Sequence, residues 1–272
     1  VVVFYNMPEL PEVETIVQQL KKRVVGKKIK SVEIVDPKVV DKKIKKIIPS
    51  KVLSAKRRAK SIIVELSGNN FLLIHLRMTG HFHYLPKGRE LEPESEQFVV
   101  AMFYFNDGSI LTHNSIRKFG SIKLFNQEQL EKELSKLGPE PLEISFKEFE
   151  GILSKKKRAN IKTTLMDQKV IVGIGNIYAQ EALYHAKIDP TRKVGELSLA
   201  EIKRLYEEMK RILKLAIQKH GTTVENYVHI EGSGGFQKYL TVYFKDRCPK
   251  KHLLKKITLG GRGTYYCPQC QK

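Results

Sequence analysis

Reactive side chains gather at the two ends of this sequence. Cys248, Cys267 and Cys270 are its only cysteines, and all three lie in the last 25 residues. An odd count argues against a disulfide framework, and the clustering argues for a metal. Near the other end stands Met7-Pro8-Glu9-Leu10-Pro11-Glu12-Val13-Glu14. Taken alone, prolines and acids there suit an ordinary helix start, because proline lacks the N–H that would go unpaired and carboxylates favour the positive end of the helix dipole. Between the ends lie Arg57-Arg58-Ala59-Lys60, His75-Leu76-Arg77-Met78-Thr79-Gly80, Arg117-Lys118-Phe119-Gly120 and Val172-Gly173-Ile174-Gly175-Asn176. Two glycines before a helix let backbone N–H groups approach a phosphate closely, although a lone Gly-x-Gly is a weak signal.

The elements that must carry these residues follow from periodicity. Val13, Ile16, Val17 and Leu20 recur at helical spacing after Pro11, and Gly26 ends that helix. From Lys30 to about Phe125 the pattern turns to short β-rich runs: Ser31–Val35, Ile62–Leu66, Phe71–His75, Val99–Phe105 and Ile110–His113. Asn106-Asp107-Gly108 is a hairpin signal between the last two. Leu137-Gly138-Pro139-Glu140-Pro141-Leu142 reads as a linker. Helical runs follow over Phe146–Lys156, Tyr178–His185 and Leu199–Lys219, with Ser198 as a cap on the last. A β-like tail, Tyr239–Phe244 and Gly263–Tyr266, surrounds the cysteines.

The chain has 272 residues, 41% of them hydrophobic, which is a globular composition. Lys and Arg number 49 against 29 Asp and Glu, a net charge of +20. That excess points to a polyanion, and nucleic acid is favoured over an acidic membrane surface because no amphipathic basic helix stands out. No apolar run is long enough to cross a membrane, and Val1–Asn6 lacks the charged leader of a secretory signal. A cytoplasmic, nucleoid-associated protein is the expectation, with no sign of an obligate oligomer.

The stretch from Met7 to Glu14 resembles the start of the bacterial formamidopyrimidine-DNA glycosylase family, also called 8-oxoguanine DNA glycosylase. The other motifs follow in that family's order almost to the end of the chain. The resemblance implies a bifunctional enzyme that excises oxidised purines from double-stranded DNA and then cuts the strand at the abasic site. It implies an α+β fold: an N-terminal β-sandwich domain with a leading helix (8–137), a linker (138–145), a helix–two-turn–helix domain (146–238) and a zinc-binding β-hairpin (239–272). In that family the initiator Met is removed and the proline becomes the N-terminus. A free secondary amine is a good nucleophile, and the resemblance gives that role to Pro8. Glu9 becomes the adjacent acid, aiding ring opening and proton transfer. Glu12 either orients this cluster or is a helix-start carboxylate.

By the same resemblance Lys60 is a proton donor in the elimination steps, and Arg57 and Arg58 hold phosphate. Met78, Arg117 and Phe119 fill the gap left by a flipped nucleotide. Asn176 adds a side-chain hydrogen bond to a phosphate, with Lys157 and Lys162 near the DNA or on a solvated helix face. Gly221 to Gln237 resembles the loop that folds over the flipped base, and Arg262 grips the phosphates at the lesion and assists the second elimination. The family norm at the tail is two Cys-x-x-Cys pairs on one structural zinc. Here Lys251 takes the second cysteine position, with His252 next to it. Cys248, His252, Cys267 and Cys270 form an ordinary zinc set, and a three-cysteine remnant without firm metal is the alternative.

Further departures stand out. Val100 occupies the place of a DNA-contacting His, and Ser115-Ile116 that of Asp-Pro. Val1–Asn6 precede Met7, and if retained they make the Pro8 nitrogen an amide with no basic lone pair. Residues 1–7 are therefore expected to be a non-native or removed extension, with Met7 the initiator. Were they kept, the chain would read as a non-catalytic binder of damaged or abasic DNA. A sister-family glycosylase for oxidised pyrimidines is a third reading, which the Pro8–Val13 start and the Arg57–Lys60 motif disfavour.

Overall fold

The computed structural model describes residues 7–222, 230 and 232–272. The chain divides into two compact units, Val1–Ser135 with His220–Gly235, and Lys136–Lys219 with Phe236–Lys272. The expected extension, Val1–Asn6, and residues 223–229 and 231 of the expected base-covering loop lie outside the described residues.

The first unit opens with helix α1 (Leu10–Val24). Its apolar stripe, Val13, Ile16, Val17, Leu20 and Val24, is buried, and α1 is adjacent to the sheet strands that follow. These are β1 (Lys28–Ile34), β2 (Ser50–Arg58), β3 (Ser61–Leu66), β4 (Asn70–His75), β5 (Gly80–Leu85), β6 (Val99–Phe105), β7 (Ile110–Ser115) and β8 (Ser121–Asn126). They form one sheet of order β5-β7-β6-β1-β2-β3-β4-β8, with every ladder antiparallel. Only two residue pairs, Lys28–Lys51 and Ile29–Ser50, join β1 to β2. That narrow seam separates two four-stranded halves, and residues from both halves and from α1 share one core. Two helices complete the unit, α2 (Pro93–Glu96) and α3 (Gln127–Leu134). The runs read from the sequence missed β2, β5 and β8, whose faces carry Lys, Arg, His and Ser that mask the alternation.

The second unit holds α4 (Phe146–Ser154), α5 (Ile161–Met166), α6 (Asn176–His185) and α7 (Leu199–Gln218), then a hairpin of β9 (Lys255–Leu259) and β10 (Arg262–Tyr266). Ser145 and Ser198 cap α4 and α7, each accepting from the backbone N–H three residues on. Tyr239–Phe244 is not the strand its composition suggested. Phe236–Tyr239 forms a 3-10 turn, and the backbone of Thr241–Tyr243 is held by α6 instead of a ladder. Glu181, 1% exposed, accepts from the N–H groups of Thr241, Val242 and Tyr243 at 2.9, 3.0 and 2.9 Å, and from the Thr241 hydroxyl.

One buried polar group sets an acid limit on the first unit. His113 on β7 is fully buried against Phe82, and neither ring nitrogen has a hydrogen-bond partner among the described residues. Burial, helped by the charge of nearby His81, pushes it down from 6.5 to about 3. A neutral buried His is charged first in the unfolded chain, so its share of stability is complete above about pH 6.5 and is lost as pH falls below that. Between pH 6.5 and 5 the loss is about 2 kcal/mol for this residue. Urea unfolding of the His113→Phe variant at pH 7 and pH 5 should show a smaller acid loss than wild type. Identical acid losses would disprove it.

Candidate functional site

Pro8 and Glu9 lead directly into α1, and both are buried. Glu12, 2% exposed, accepts the Glu9 backbone N–H at 2.9 Å and the Thr222 N–H at 2.7 Å. The carboxylate is thus both a helix-start cap and the tether of a segment some two hundred residues away in sequence. Gly221 makes this approach possible. Its φ is +75°, and a Cβ there would lie 2.8 Å from Glu12 Oε1.

Lys60 sits in the two-residue connection between β2 and β3, whose last ladder pair is Arg58–Ser61. Ala59 has φ +56°, uncommon for a residue with a side chain. The turn leaves Lys60 only 6% exposed. Arg57 holds that turn: its Nε donates to Glu14 of α1 at 2.9 Å and its Nη1 to the Ala59 carbonyl at 3.1 Å. Arg57 is therefore an internal brace, where a phosphate contact had been expected.

Met78, Arg117 and Phe119 come together on two loops. Arg117 lies 4.9 Å from the Phe119 ring centroid, and its Nη1 is 3.5 Å from the Met78 sulfur. Phe119 is 59% exposed, which is unusual for a large aromatic ring and leaves an apolar tip facing solvent. Beneath this tip the loops are bolted. The Thr79 hydroxyl accepts the Arg117 N–H at 2.9 Å, the Ser115 hydroxyl accepts the Lys118 N–H at 3.1 Å, and the two hydroxyls are 3.5 Å apart. Gly80 is fixed by space: a Cβ would collide with the Leu76 carbonyl. Val100 is wholly buried beside a register shift in the β6–β7 ladder.

In the second unit Asn176 opens α6. Gln168 shapes the approach, accepting the Gly173 N–H at 2.8 Å and donating to the Ile174 carbonyl at 2.9 Å. Asn176 Oδ1 accepts from Lys162 Nζ at 2.6 Å, and its Nδ2 donates to the Gly263 carbonyl at 3.1 Å. Lys162 is 0% exposed, so it lies neither at a DNA-facing surface nor on a solvated helix face. Its ammonium, donating to Asn176, fixes which way that amide points. Gln180 grips the same hairpin strand, accepting the Tyr265 N–H at 2.6 Å. Arg262, exposed, begins β10 just after the Gly260-Gly261 turn and just before the Gly263 that Asn176 holds. Lys157 is exposed in the loop before α5.

Two residues near this machinery carried no role in the sequence reading. His75 ends β4 with its Nδ1 buried and unpartnered among the described residues. Burial, with the charges of Arg77 and Lys60, pushes it down to about 4, so it is a neutral imidazole near two cations. Thr79 follows Met78 in the motif. The only signal for either was its adjacency to a motif.

At the tail, one ligand atom from each of Cys248, His252, Cys267 and Cys270 lies within 4.8 Å of the others. His252 Nδ1 is 3.3 Å from Cys270 Sγ and 3.6 Å from Cys267 Sγ. A tetrahedral zinc with ordinary bond lengths puts a sulfur and a nitrogen about 3.6 Å apart. Burial and the neighbouring Cys267 and Cys248 sulfurs push Cys270 up to about 11. Three thiols this close resist ionising together, and a dication removes that conflict. The residues fit one structural zinc, with His252 as the fourth ligand.

Two expectations follow. The purified protein should carry about one zinc per chain, and His252→Ala should surrender it to a chelator that wild type resists, read by metal analysis after dialysis. Equal retention would remove His252 from the site. Thr79→Val should speed hydrogen exchange at the Arg117 amide because its acceptor is gone, whereas Thr79→Ser keeps it protected. Unchanged exchange in Thr79→Val would break the bolt argument.

Three family profiles match in order. They are the formamidopyrimidine-DNA glycosylase N-terminal domain over residues 7–122, its H2TH domain over 137–228, and a zinc finger found in FPG and IleRS over 251–272. The formamidopyrimidine-DNA glycosylase of Streptococcus mutans is 40% identical over 278 residues, 98% of this chain and 100% of the relative. That of Carboxydothermus hydrogenoformans is 38% identical over 279 residues, again 98% and 100%. Among solved structures, the Lactococcus lactis Fpg complexed with abasic-site-containing DNA superposes with a TM-score of 0.89 at 33% identity, covering 97% of this chain and 99% of that one. The wild-type Lactococcus lactis Fpg with N7-benzyl-Fapy-dG-containing DNA gives 0.89 and 33%, covering 97% and 100%. With matches of this length and identity across the N-terminal, H2TH and zinc-finger segments alike, the chain belongs to the formamidopyrimidine-DNA glycosylase family.

Proposed function

We propose that this protein removes oxidised purines, 8-oxoguanine and formamidopyrimidines, from duplex DNA and then cleaves the abasic strand by β,δ-elimination. The observation that carries the reading is the exposed Met78–Arg117–Phe119 tip, bolted from beneath by Thr79 and Ser115 in a chain of this family. An apolar and cationic wedge of that kind suits the hole left by a flipped nucleotide. Pro8 Nα attacks the sugar C1′. The glycosidic bond breaks, the base leaves with the bonding pair and a proton, and the sugar ring opens to an iminium on Pro8. Glu9 protonates the ring oxygen and shuttles protons. The iminium acidifies C2′–H, so loss of that proton expels the 3′ phosphate and a second elimination expels the 5′ phosphate. Lys60 donates protons in these steps, and Arg262 holds the phosphates and assists the second elimination. Asn176 hydrogen-bonds a phosphate, with Lys162 orienting it from within and Lys157 adding charge.

A zinc held by Cys248, His252, Cys267 and Cys270 would brace the hairpin that bears Arg262, a structural role. The proposed division is a catalytic domain over 8–137, a linker over 138–145, a DNA-binding domain over 146–238 and the zinc hairpin over 239–272. With chromosomal DNA as its substrate, the protein works in the bacterial cytosol and nucleoid. The Pro8 nitrogen is basic only once Met7 and everything before it is absent.

The test is borohydride trapping on duplex DNA containing 8-oxoguanine, with a chain shown by intact mass to begin at Pro8. Wild type should form a covalent adduct. Pro8→Gly should form far less, and Glu9→Gln should slow excision roughly 100-fold or more. A chain beginning at Pro8 that binds abasic DNA without trapping or cutting it would be a damage-binding protein, and the catalytic reading would fail.

A further inference from the structure

The lysines of the 3-10 turn Lys42–Ile47 take no part in the site built from the motif residues. Residues 37–64 hold ten Lys or Arg and a single acid, Asp41. The turn is built with a period of three. Ile44 is wholly buried and Ile47 packs on the same core, which throws Lys42, Lys43, Lys45 and Lys46 outward, all exposed. Asp41 is occupied in capping the turn, accepting the Lys43 N–H at 2.9 Å. None of the four ammonium groups has an acidic partner among the described residues. Four like charges fixed on a rigid turn repel one another and lower the stability of the unit, so a polyanion that relieves them gains affinity.

The position of the turn says which polyanion. The segment entering it runs alongside the wedge. Asp36 pairs with Lys118 between Arg117 and Phe119 at 3.1 Å. Val39 accepts the Ile122 N–H at 2.8 Å, and the Asp41 N–H donates to the Ile122 carbonyl at 2.9 Å. Ile122 is only three residues beyond Phe119. At about 3.5 Å per residue to Ile122, one crossing between neighbouring strands of about 5 Å, about 2 Å per residue along the 3-10 turn and the length of a lysine side chain, the charges lie within about 30 Å of Phe119. That is about nine base pairs of duplex at 3.4 Å each.

We infer that Lys42, Lys43, Lys45 and Lys46 form a second phosphate-contacting surface, which grips the duplex flanking the lesion beyond the wedge. The contacts are electrostatic and independent of sequence. The inference rests on the proposed action on duplex DNA.

Binding is measured against salt for duplexes of about 8 and about 30 base pairs carrying a central oxidised purine, with wild type and a K42Q/K43Q/K45Q/K46Q variant. Each neutralised phosphate adds about 0.9 to the slope of log affinity on log salt. If the variant leaves two or more phosphates without their lysine, its slope on the long duplex should be shallower by about 1.8. Between about 50 and 200 mM salt, wild-type affinity should therefore fall about tenfold more than the variant's. On the short duplex, slope and excision should match wild type. An unchanged slope on the long duplex overturns the inference and leaves the patch to another partner, such as an acidic protein or lipid surface. A fall of the same size on the short duplex overturns it too, because the lysines would then lie within the lesion footprint. Wild type reports on the wider reading: no salt-dependent binding or excision there is a failure of the DNA function, separate from a failure of the patch.

Discussion

The first unit depends on one buried carboxylate. Glu12 cannot sit 2% exposed without donors, because an ionised group out of water is stable only when its lone pairs are used. The Glu9 and Thr222 N–H groups supply them. The Glu9 contact fixes the first turn of α1, and so the place of Pro8. The Thr222 contact returns a distant segment to that turn. Because Gly221 lies against the same carboxylate, nothing larger fits between. The segment around Pro8 and Glu9 is thus organised by the fold itself, and the helix dipole adds to the stability of a negative charge at that end.

The second unit uses the same device. Glu181 in the middle of α6 gathers three consecutive backbone N–H groups and a hydroxyl from Thr241–Tyr243. Two residues near the start of that helix, Asn176 and Gln180, hold the β10 strand through Gly263 and Tyr265. Lys162 stands behind Asn176 and removes the ambiguity in its amide orientation. One helix therefore carries Asn176, positions the strand bearing Arg262 and ties down the chain that leads to the cysteine and histidine cluster.

Helices α1, α4, α6 and α7 were legible because their apolar residues recur at 3.6, with a cap readable at Ser198; α2, α3 and α5, of four, eight and six residues, are too short for that recurrence to show. The metal cluster was legible because three cysteines in 25 residues have few other uses. Strand β2 was not, because exposed Lys51, Leu53 and Lys56 alternate with buried positions that include Ser50 and Ala55. Nor was the fate of Thr241–Tyr243. Its alternation suits a strand, but the partner it takes is a carboxylate sixty residues earlier, and no local pattern encodes that. Within the site, residue types were legible and their neighbours were not. The resemblance put Lys162 near the DNA and Arg57 on a phosphate, yet one is buried against an amide and the other braces a turn against Glu14. The part Thr79 and Ser115 play in holding the loops was not legible, because hydroxyls that accept backbone N–H groups across loops look like any polar loop residue.

The departures from the family pattern make physical sense on the same terms. Ser115 stands where the family has Asp, and what the turn requires is an oxygen able to accept the Lys118 N–H; a hydroxyl supplies it without placing a charge at a site 1% exposed. At the tail, cysteine is displaced by histidine one residue later. An imidazole reaches farther from its Cα than a thiol does, so a simple exchange at position 251 would overshoot the metal. The chain instead puts Lys251 in the left-handed region, φ +64°, with its N–H on the Cys248 carbonyl at 2.7 Å, while the His252 carbonyl accepts the Cys248 N–H at 3.0 Å. The extra residue is absorbed by that tight turn, and the longer side chain comes back to Cys267 and Cys270 at the separations a tetrahedral ion requires. Change of ligand and change of backbone compensate each other, so the histidine belongs to the site as a replacement and not as a remnant beside a lost cysteine.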